Sequence, residues 1–425
     1  MSYFFRTLLK SRGSMLLFLP MLFLYASSYF QRTAVPGTIF NQLQADLKLN
    51  AFQIAAMGAS FIYIYALSQT FVGMLADKYG GARIVTYGGL LFCAGTFVFP
   101  FLDTPGGLYL CRMLAGLGAS TMYLSLVKET DHIFGHKNYA VVMGVVYFVG
   151  YGGGLCGTLP FERLIAVFSW RKVLLASGIL SFILYGLFLL GKRMVPPSGV
   201  TPGKLSLAPF LKVLRNPWSW LILYCSTVNF AIYFIIQTVF GKKFLEDFTG
   251  MSSSGAAACI FALTCVCMTV LFSSSILSRL MRNRRKPLIL FSTTLCFLNT
   301  ILMTLAIYFE FSGRVFALCY LLYAVASGFS VIFSMAEQEV NTPETMTQAT
   351  GFINMINYLA VAVFSLLVGM LLDAFGGREV RGALVYPKEA YLTLFMLLLL
   401  PSTLSFIASF LIPETHGKYL HRARE

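Results

Sequence analysis

Gly73-Met-Leu-Ala-Asp77-Lys78-Tyr-Gly80-Gly81-Ala-Arg83 is the stretch on which the reading of the fold turns. It closes an apolar run over 52–76 and leads into a second over 84–103. Runs of about 20 apolar residues are long enough to cross a bilayer as helices. A short, charged, glycine-bearing link between two of them reads as the tight turn of an antiparallel helix pair. Gly80 and Gly81 permit the turn and Gly73 a close helix contact. Asp77, at a helix end beside Lys78 and Arg83, can cap and pair across the link.

Outward from this turn, the pattern repeats. Apolar runs at 14–40, 106–130, 139–161 and 171–192 complete a first set of six. Runs at 217–240, 255–277, 287–309, 315–338, 346–372 and 389–412 make a second. Between the sets, 193–216 is polar and holds Pro196, Pro197, Ser198, Gly199, Pro202 and Gly203, the composition of a linker. Its end, from Pro209 to Arg215, suits a short amphipathic surface helix. The expected plan is an all-α membrane protein of twelve transmembrane helices. Residues 1–192 form an N-terminal six-helix bundle, 193–216 a linker, and 217–425 a C-terminal bundle with a short tail. Ser278-Arg279-Leu-Met-Arg282-Asn-Arg284-Arg285-Lys286 follows the eighth run as a degraded echo of the first turn, with Ser278 in the place of an aspartate.

Composition agrees. Of 425 residues 57% are hydrophobic and only 12% charged, about half the share usual in soluble domains. The formal charge of +15 does not point to nucleic acid, because the cations sit in short links between apolar runs. That placement sets membrane topology: with the N-terminus inside, Lys and Arg fall about two to one on the cytoplasmic side, which puts both termini there. Arg6, Lys10 and Arg12 precede the first run, and Ala26-Ser27-Ser28 imitates a cleavage site. The apolar stretch continues past it, so the run is read as an uncleaved first span. The nine cysteines are scattered through the spans without a CxxC spacing, so neither a zinc site nor a disulfide framework is expected. His132, His136, His416 and His421 all lie in links or the tail, and no catalytic triad or HExxH motif occurs. No enzyme chemistry, metal or cofactor is expected.

The Gly73–Arg83 stretch resembles the G-x-L-a-D-[RK]-x-G-x-x-R signature of the major facilitator superfamily. Arg112-Met-Leu-Ala-Gly116-Leu-Gly118 resembles its R-x-x-x-G-x-G, and Pro413-Glu414-Thr415-His416-Gly417 resembles its P-E-T-x-G. The resemblance implies two six-helix repeats rocking about a midplane site. Asp77, Lys78, Gly80, Arg83 and Arg112 would then serve gating, with Asp77 and Arg83 locking the inner gate, and the second copy would be weaker for lack of an aspartate. Arg112 is equally open to a structural ion pair or to snorkelling.

Tyr25-Ala-Ser-Ser-Tyr29-Phe-Gln-Arg32 further resembles the first helix of the organophosphate:phosphate antiporter and organic-anion symporter branch. Tyr25, Tyr29 and Arg32 share one helical face, and a guanidinium flanked by phenols near the midplane is an oxyanion receptor. In that branch the matching arginine binds the substrate phosphate. The departures are informative. The seventh span has no second arginine and the fifth no histidine; Gln69 stands below Tyr65 where the branch often has lysine. Burying a second uncompensated negative charge beside one arginine would cost several kcal/mol. A carboxylate or sugar acid is therefore expected in preference to a phosphate ester.

Other polar residues at depth are Tyr147 and Tyr151 on the fifth span, Asn229, Tyr233 and Gln237 on the seventh, and Asn354, Asn357 and Tyr358 on the eleventh. They suit the wall of a central cavity, or hydrogen bonds between helices with no ligand. Gly150 to Gly154 lacks the Gly-Lys-Ser/Thr of a phosphate loop and suits close packing. Glu129, Asp131 and Glu337 are the candidates for proton coupling, with gate ion pairs as the plainer reading for them and for Glu339.

The expected function is secondary active transport of a small organic anion across the inner (cytoplasmic) membrane by alternating access, with proton symport as the expected mode. The expected partners are a small-molecule substrate, the lipid bilayer and protons; the chain is expected to act as a monomer. An amino-acid or nucleoside transporter of the same fold is the nearest alternative, and a transporter-like membrane sensor the next.

Overall fold

The computed structural model describes residues 12–135, 139–196, 208–342, 346–380 and 382–420. The expectations on Arg6, Lys10, His136, His421 and linker residues 197–203 lie outside these, as does the side chain of Asp77. Twelve helices are long and apolar enough to cross a membrane, among the described residues.

In chain order the helices are α1 (Arg12–Ala34), α2 (Phe40–Leu47), α3 (Ala51–Tyr79), α4 (Gly81–Val98), α5 (Pro105–Phe134), α6 (Tyr139–Cys156), α7 (Leu159–Val167) and α8 (Trp170–Met194). The short α9 (Ala208–Leu214) precedes α10 (Pro217–Ile235) and α11 (Gly241–Thr249). Then come α12 (Ser253–Leu280), α13 (Lys286–Tyr308), α14 (Gly313–Ser327), α15 (Ser330–Val340), α16 (Met346–Phe375) and α17 (Lys388–Leu411). Sequence signals set several ends. Pro36 ends α1, because the residue before a proline is pushed out of the helical region. Asn216 caps α10 by accepting from the Trp218 N–H at 3.1 Å, and Ser252 caps α12 by accepting from Gly255 at 3.2 Å.

The chain forms two compact units. One comprises Met1–Ile39 and Ser60–Leu205; the other comprises Phe40–Ala59 and Ser206–Glu425. In the first, α1 packs on α8, α6 and α5, and α4 packs along α5. The α4–α5 seam is a backbone approach: a Cβ on Gly118 would lie 2.3 Å from the Gly88 carbonyl oxygen. In lipid, where helix association relies on packing rather than on the hydrophobic effect, such small-residue seams are a main source of contact.

In the second unit α10 packs on α16, α17 and α15, while α13 packs on α17 and α14. Two features depart from the sequence reading. The seventh span does not stop at 240. It passes through a π-helical turn at Ile236–Phe240 into α11, a local widening that often accompanies function. The link after α16 is a small antiparallel hairpin, Arg378–Val380 (β1) with Ala383–Val385 (β2), turned at Gly382 with φ +83°.

Segment 40–59 belongs to this second unit through specific bonds. The Gln44 amide donates to the Tyr386 hydroxyl at 2.9 Å and accepts from the Leu384 N–H at 3.2 Å. Asn41 donates to Glu246 at 2.7 Å, and Asp373 accepts the first N–H groups of α3, from Ala51 and Phe52, at 2.9 and 2.8 Å. Behind them Lys243 and Asp247 form a fully buried pair 2.7 Å long, and Asp247 also accepts from the Tyr391 hydroxyl at 2.8 Å.

Candidate substrate site

The first unit gathers an aromatic cluster around Arg32. The side chain is 2% exposed. Its guanidinium carbon lies 4.4 Å from the Tyr65 ring centre and 4.7 Å from that of Tyr29. Rings occupy the faces of a guanidinium, whereas its N–H donors point out along the edge. A planar guanidinium held beside two rings suits an acceptor of matching geometry such as a carboxylate.

The cluster is continuous. Tyr25 donates to the Tyr29 hydroxyl at 3.3 Å, and its ring stacks on Tyr123 at 5.9 Å. The Tyr123 and Tyr147 hydroxyls are 2.5 Å apart, and Tyr29 packs on Tyr151 at 5.5 Å. Tyr25 is placed by the glycines of α6: a Cβ on Gly150 would lie 2.5 Å from its ring, and one on Gly153 would lie 2.0 Å from the Ala26 carbonyl oxygen. The glycine run of the fifth span is thus a packing surface for the helix that carries Arg32. Gln69 is buried one turn beyond Tyr65. Tyr123 was missed in the sequence because it lies in an ordinary-looking part of α5; its spacing from Gly116 and Gly118 was the signal available.

Arg112 is buried and donates to two backbone carbonyls at the end of α1, Gln31 at 3.1 Å and Val35 at 2.9 Å. It neither snorkels nor forms the ion pair that its sequence position allowed. It bonds carbonyls at a helix C-terminus, where a cation is also favoured by the dipole, and the Gln31 carbonyl accepts from the Val35 N–H at 3.4 Å as well. Its guanidinium carbon lies 4.5 Å from the Phe61 ring, whose centre is 5.7 Å from that of Arg32. Two buried cations close to one ring make the region attractive to an anion, although both terminal nitrogens of Arg112 are bonded to backbone carbonyls; its Nε has no partner among the described residues.

The turn after α3 is built as the motif suggests, with one correction. Gly80 has φ +86°. Gly81 supplies the close approach: a Cβ there would lie 2.8 Å from the Ser125 carbonyl oxygen. Gly73 does not, since its Cβ would meet only the Leu124 side chain at 3.5 Å, an ordinary contact. Glu129, fully buried, accepts from the Ala82 N–H at 2.8 Å and so caps α4 from α5. Lys78 and Arg83 are exposed, their charges 5.3 and 5.7 Å from the Tyr79 ring, and Asp131 is exposed.

The corresponding turn of the second unit is tied by a buried ion pair. Arg285 and Glu339 are both buried and bonded from two guanidinium nitrogens, at 3.2 and 2.8 Å. Ser278 accepts from Arg285, and the Thr415 hydroxyl donates to Glu339. Glu414 accepts from the N–H groups of Arg285 and Lys286 at 2.8 and 3.2 Å, capping α13 as Glu129 caps α4. Where the first turn carries an aspartate, the second uses the serine as one acceptor of a buried arginine.

The remaining polar residues of the second unit bond between helices. Asn229 donates to Ser292 at 2.7 Å, Gln237 to Thr264 at 2.8 Å, and Asn357 to Ser226 at 3.2 Å. Tyr233 is buried, Asn354 half-buried, and Tyr358 packs edge-on against Phe230 and Phe234. The Oδ1 of Asn229 has no hydrogen-bond partner among the described residues. Glu337 is fully buried and accepts from Asn341 at 3.2 Å. Among the described residues no group of His, Cys, Asp and Glu is arranged to hold a metal ion.

Twelve membrane-length helices, with a buried arginine beside tyrosine rings and carboxylate-capped turns at corresponding places in the two halves, define a polytopic membrane transporter. Residues 21–365 match the family model of the Major Facilitator Superfamily, and the chain belongs to that superfamily. It is 28% identical over 200 residues, 45% of this chain and 47% of the relative, to the 3-(3-hydroxy-phenyl)propionate transporter of Escherichia coli strain K12. The matched stretch thus spans about half of that relative's length. Among solved structures it resembles a bacterial homolog of the human lysosomal transporter Spinster, with TM-score 0.75 and 16% identity over 94% of this chain and 97% of that one. It also resembles the nucleoside transporter NupG, with TM-score 0.74 and 15% identity over 94% and 99%. At such identities the likeness is one of fold.

Proposed function

We propose that this transporter carries a small organic anion with one carboxylate across the cytoplasmic membrane by alternating access, coupled to protons, with both termini on the cytoplasmic side. The observation that carries the reading is the burial of Arg32 between the Tyr29 and Tyr65 rings. A buried guanidinium oriented by rings recognises a planar oxyanion through paired donors. A single carboxylate suits it better than a dianionic phosphate, since Arg112 is engaged with backbone carbonyls and a second negative charge would be poorly compensated. The phenols and rings of Tyr25, Tyr123, Tyr147 and Tyr151 favour an acid that also carries an aromatic ring, and the matched E. coli relative is named for such an acid.

The test is a thermal-shift screen of the purified protein against aryl and alkyl monocarboxylates, sugar acids, sugar phosphates, amino acids and nucleosides, run beside Arg32→Ala. Binding to the native state raises apparent stability by mass action. An aromatic monocarboxylate is expected to stabilise the wild type and not the variant. If a neutral or zwitterionic ligand stabilises both alike, Arg32 is structural and the organic-anion reading fails.

A further inference from the structure

A second concave site lies in the C-terminal half, independent of the substrate reading. A cavity of about 340 Å³ opens where α9 meets the start of α10, lined by Lys212, Arg215, Asn216, Trp218, Asn341 and Thr342. We infer that it binds the phosphate headgroup of an anionic phospholipid, with Lys212 and Arg215 as the phosphate ligands.

Three features support this. The first is rigidity. The Asn216 amide donates to the Val340 carbonyl at 2.8 Å and to Asn341 at 3.2 Å, and its oxygen accepts from the Trp218 N–H. The Trp220 indole donates to the Leu214 carbonyl at 2.8 Å, and Val213 is buried in the core with Ile222 and Phe352. The amides are engaged, so the two cations are what the cavity offers an anion. Lys212 lies in the last turn of α9 and Arg215 in the turn that follows it, where the Arg215 N–H donates to the Leu211 and Lys212 carbonyls at 3.2 Å each.

The second is position. Trp218 and Trp220 are 40% and 48% exposed at the first turn of a membrane span, and Leu211 beside them is 51% exposed. Exposed tryptophans at a span end mark the headgroup layer of a bilayer. A soluble phosphate would need only the cations; a phospholipid would also cover this apolar flank with its acyl chains.

The third is charge. By chain connectivity the α12–α13 turn, with Arg279, Arg282, Arg284 and Lys286, lies at the same end of this unit as the cavity. Anionic lipids concentrate at such basic membrane faces, and basic pockets between helices hold their headgroups.

The experiment titrates the purified full-length protein with dioleoyl phosphatidylglycerol, dioleoyl phosphatidylcholine or sn-glycerol 3-phosphate. It compares the wild type with Lys212→Gln/Arg215→Gln and with a charge-matched control at exposed residues of the first unit, Arg163→Gln/Lys172→Gln. Phosphatidylglycerol is expected to raise the melting midpoint of the wild type and the control by roughly 3 °C, and to leave that of the cavity variant unmoved. A shift retained by the cavity variant, or matched by phosphatidylcholine, overturns the site. A shift produced by glycerol phosphate overturns the lipid as its ligand. Should the double variant fail to fold, native mass spectrometry of Lys212→Gln alone decides: it is expected to retain less phosphatidylglycerol than the wild type, and equal retention overturns the inference.

Discussion

The guanidinium of Arg32 lies over the ring of Tyr65, 4.4 Å from its centre, and the two side chains come from helices α1 and α3 of one compact unit. The charge sits over the face of the ring. Tyr65→Phe should therefore keep the affinity for the carried acid within a few-fold. Tyr65→Leu should weaken it by about 0.5–2 kcal/mol, the range of a cation–π contact. Titration calorimetry of the two variants checks this; equal losses would mean that the hydroxyl matters and the ring does not.

Arg32→Lys keeps the charge but gives up the planar fork. Binding of a monocarboxylate should fall at least about tenfold, roughly the 1.5–3 kcal/mol of a hydrogen bond to a charged group. The melting midpoint of the unliganded protein should change little. Direct binding and melting measurements on the same preparation separate recognition from stability.

Arg112 acts on the site through backbone. Replacing it with Gln removes donors from the carbonyls of Gln31 and Val35; Gln31 keeps the Val35 N–H, so the cost is about 1–3 kcal/mol for the Val35 carbonyl left unsatisfied. Because these carbonyls flank Arg32 in sequence, the affinity for the acid should fall as well. Discrimination between the acid and its neutral amide should fall with it, a ratio that a purely global loss of stability would leave unchanged.

The Arg285–Glu339 pair is buried on both sides. Removing either partner alone, as Arg285→Met or Glu339→Gln, should cost about 3–5 kcal/mol, because the other charge is left uncompensated. The double variant should cost much less than the sum of the two. A double-mutant cycle in a denaturant titration measures the difference; strict additivity would show that the pair contributes nothing.

Two neighbouring glycines of α6 make a matched test. A Cβ on Gly153 would lie 2.0 Å from the Ala26 carbonyl oxygen, whereas one on Gly152 meets nothing within 4 Å. Gly153→Ala should cost about 1–3 kcal/mol by overpacking. Gly152→Ala should be neutral or stabilising by up to about 1 kcal/mol, the gain expected from a better helix former. Melting midpoints of the two variants suffice.

How much of this was legible in the sequence depends on how local the physics is. Twelve spans could be read because each needs only its own run of apolar residues to cross lipid. Gly80 could be read as a turn for the same reason. The closeness at Gly81 and the ordinary contact at Gly73 could not, because they depend on where α5 lies. Arg32 with Tyr25 and Tyr29 stood out through spacing along one helix, but Tyr65 over the guanidinium and Tyr123 against Tyr147 needed helices to be brought together. The polar residues of the second unit show the same limit. Asn229, Gln237 and Asn357 look alike as cavity residues and as helix-to-helix donors until their partners Ser292, Thr264 and Ser226 are placed. The π-helical turn at Ile236–Phe240 leaves no signal in residue type, since the apolar run simply continues.

The bonds of segment 40–59 also bear on how the chain is made. Gln44 and its partner Tyr386 are 342 residues apart, so at translation rates of about 5–20 residues per second Gln44 waits roughly 20–70 seconds before Tyr386 has been synthesised. Asp373, which accepts the Ala51 N–H, is almost as late. Until then the Ala51 and Phe52 N–H groups at the start of the second span lack their native acceptor, while the local bonds between Asn50 and Gln53 can form. Segment 40–59 therefore cannot complete its native bonds until the last part of the chain is made, and the earliest moment for that is set by the ribosome.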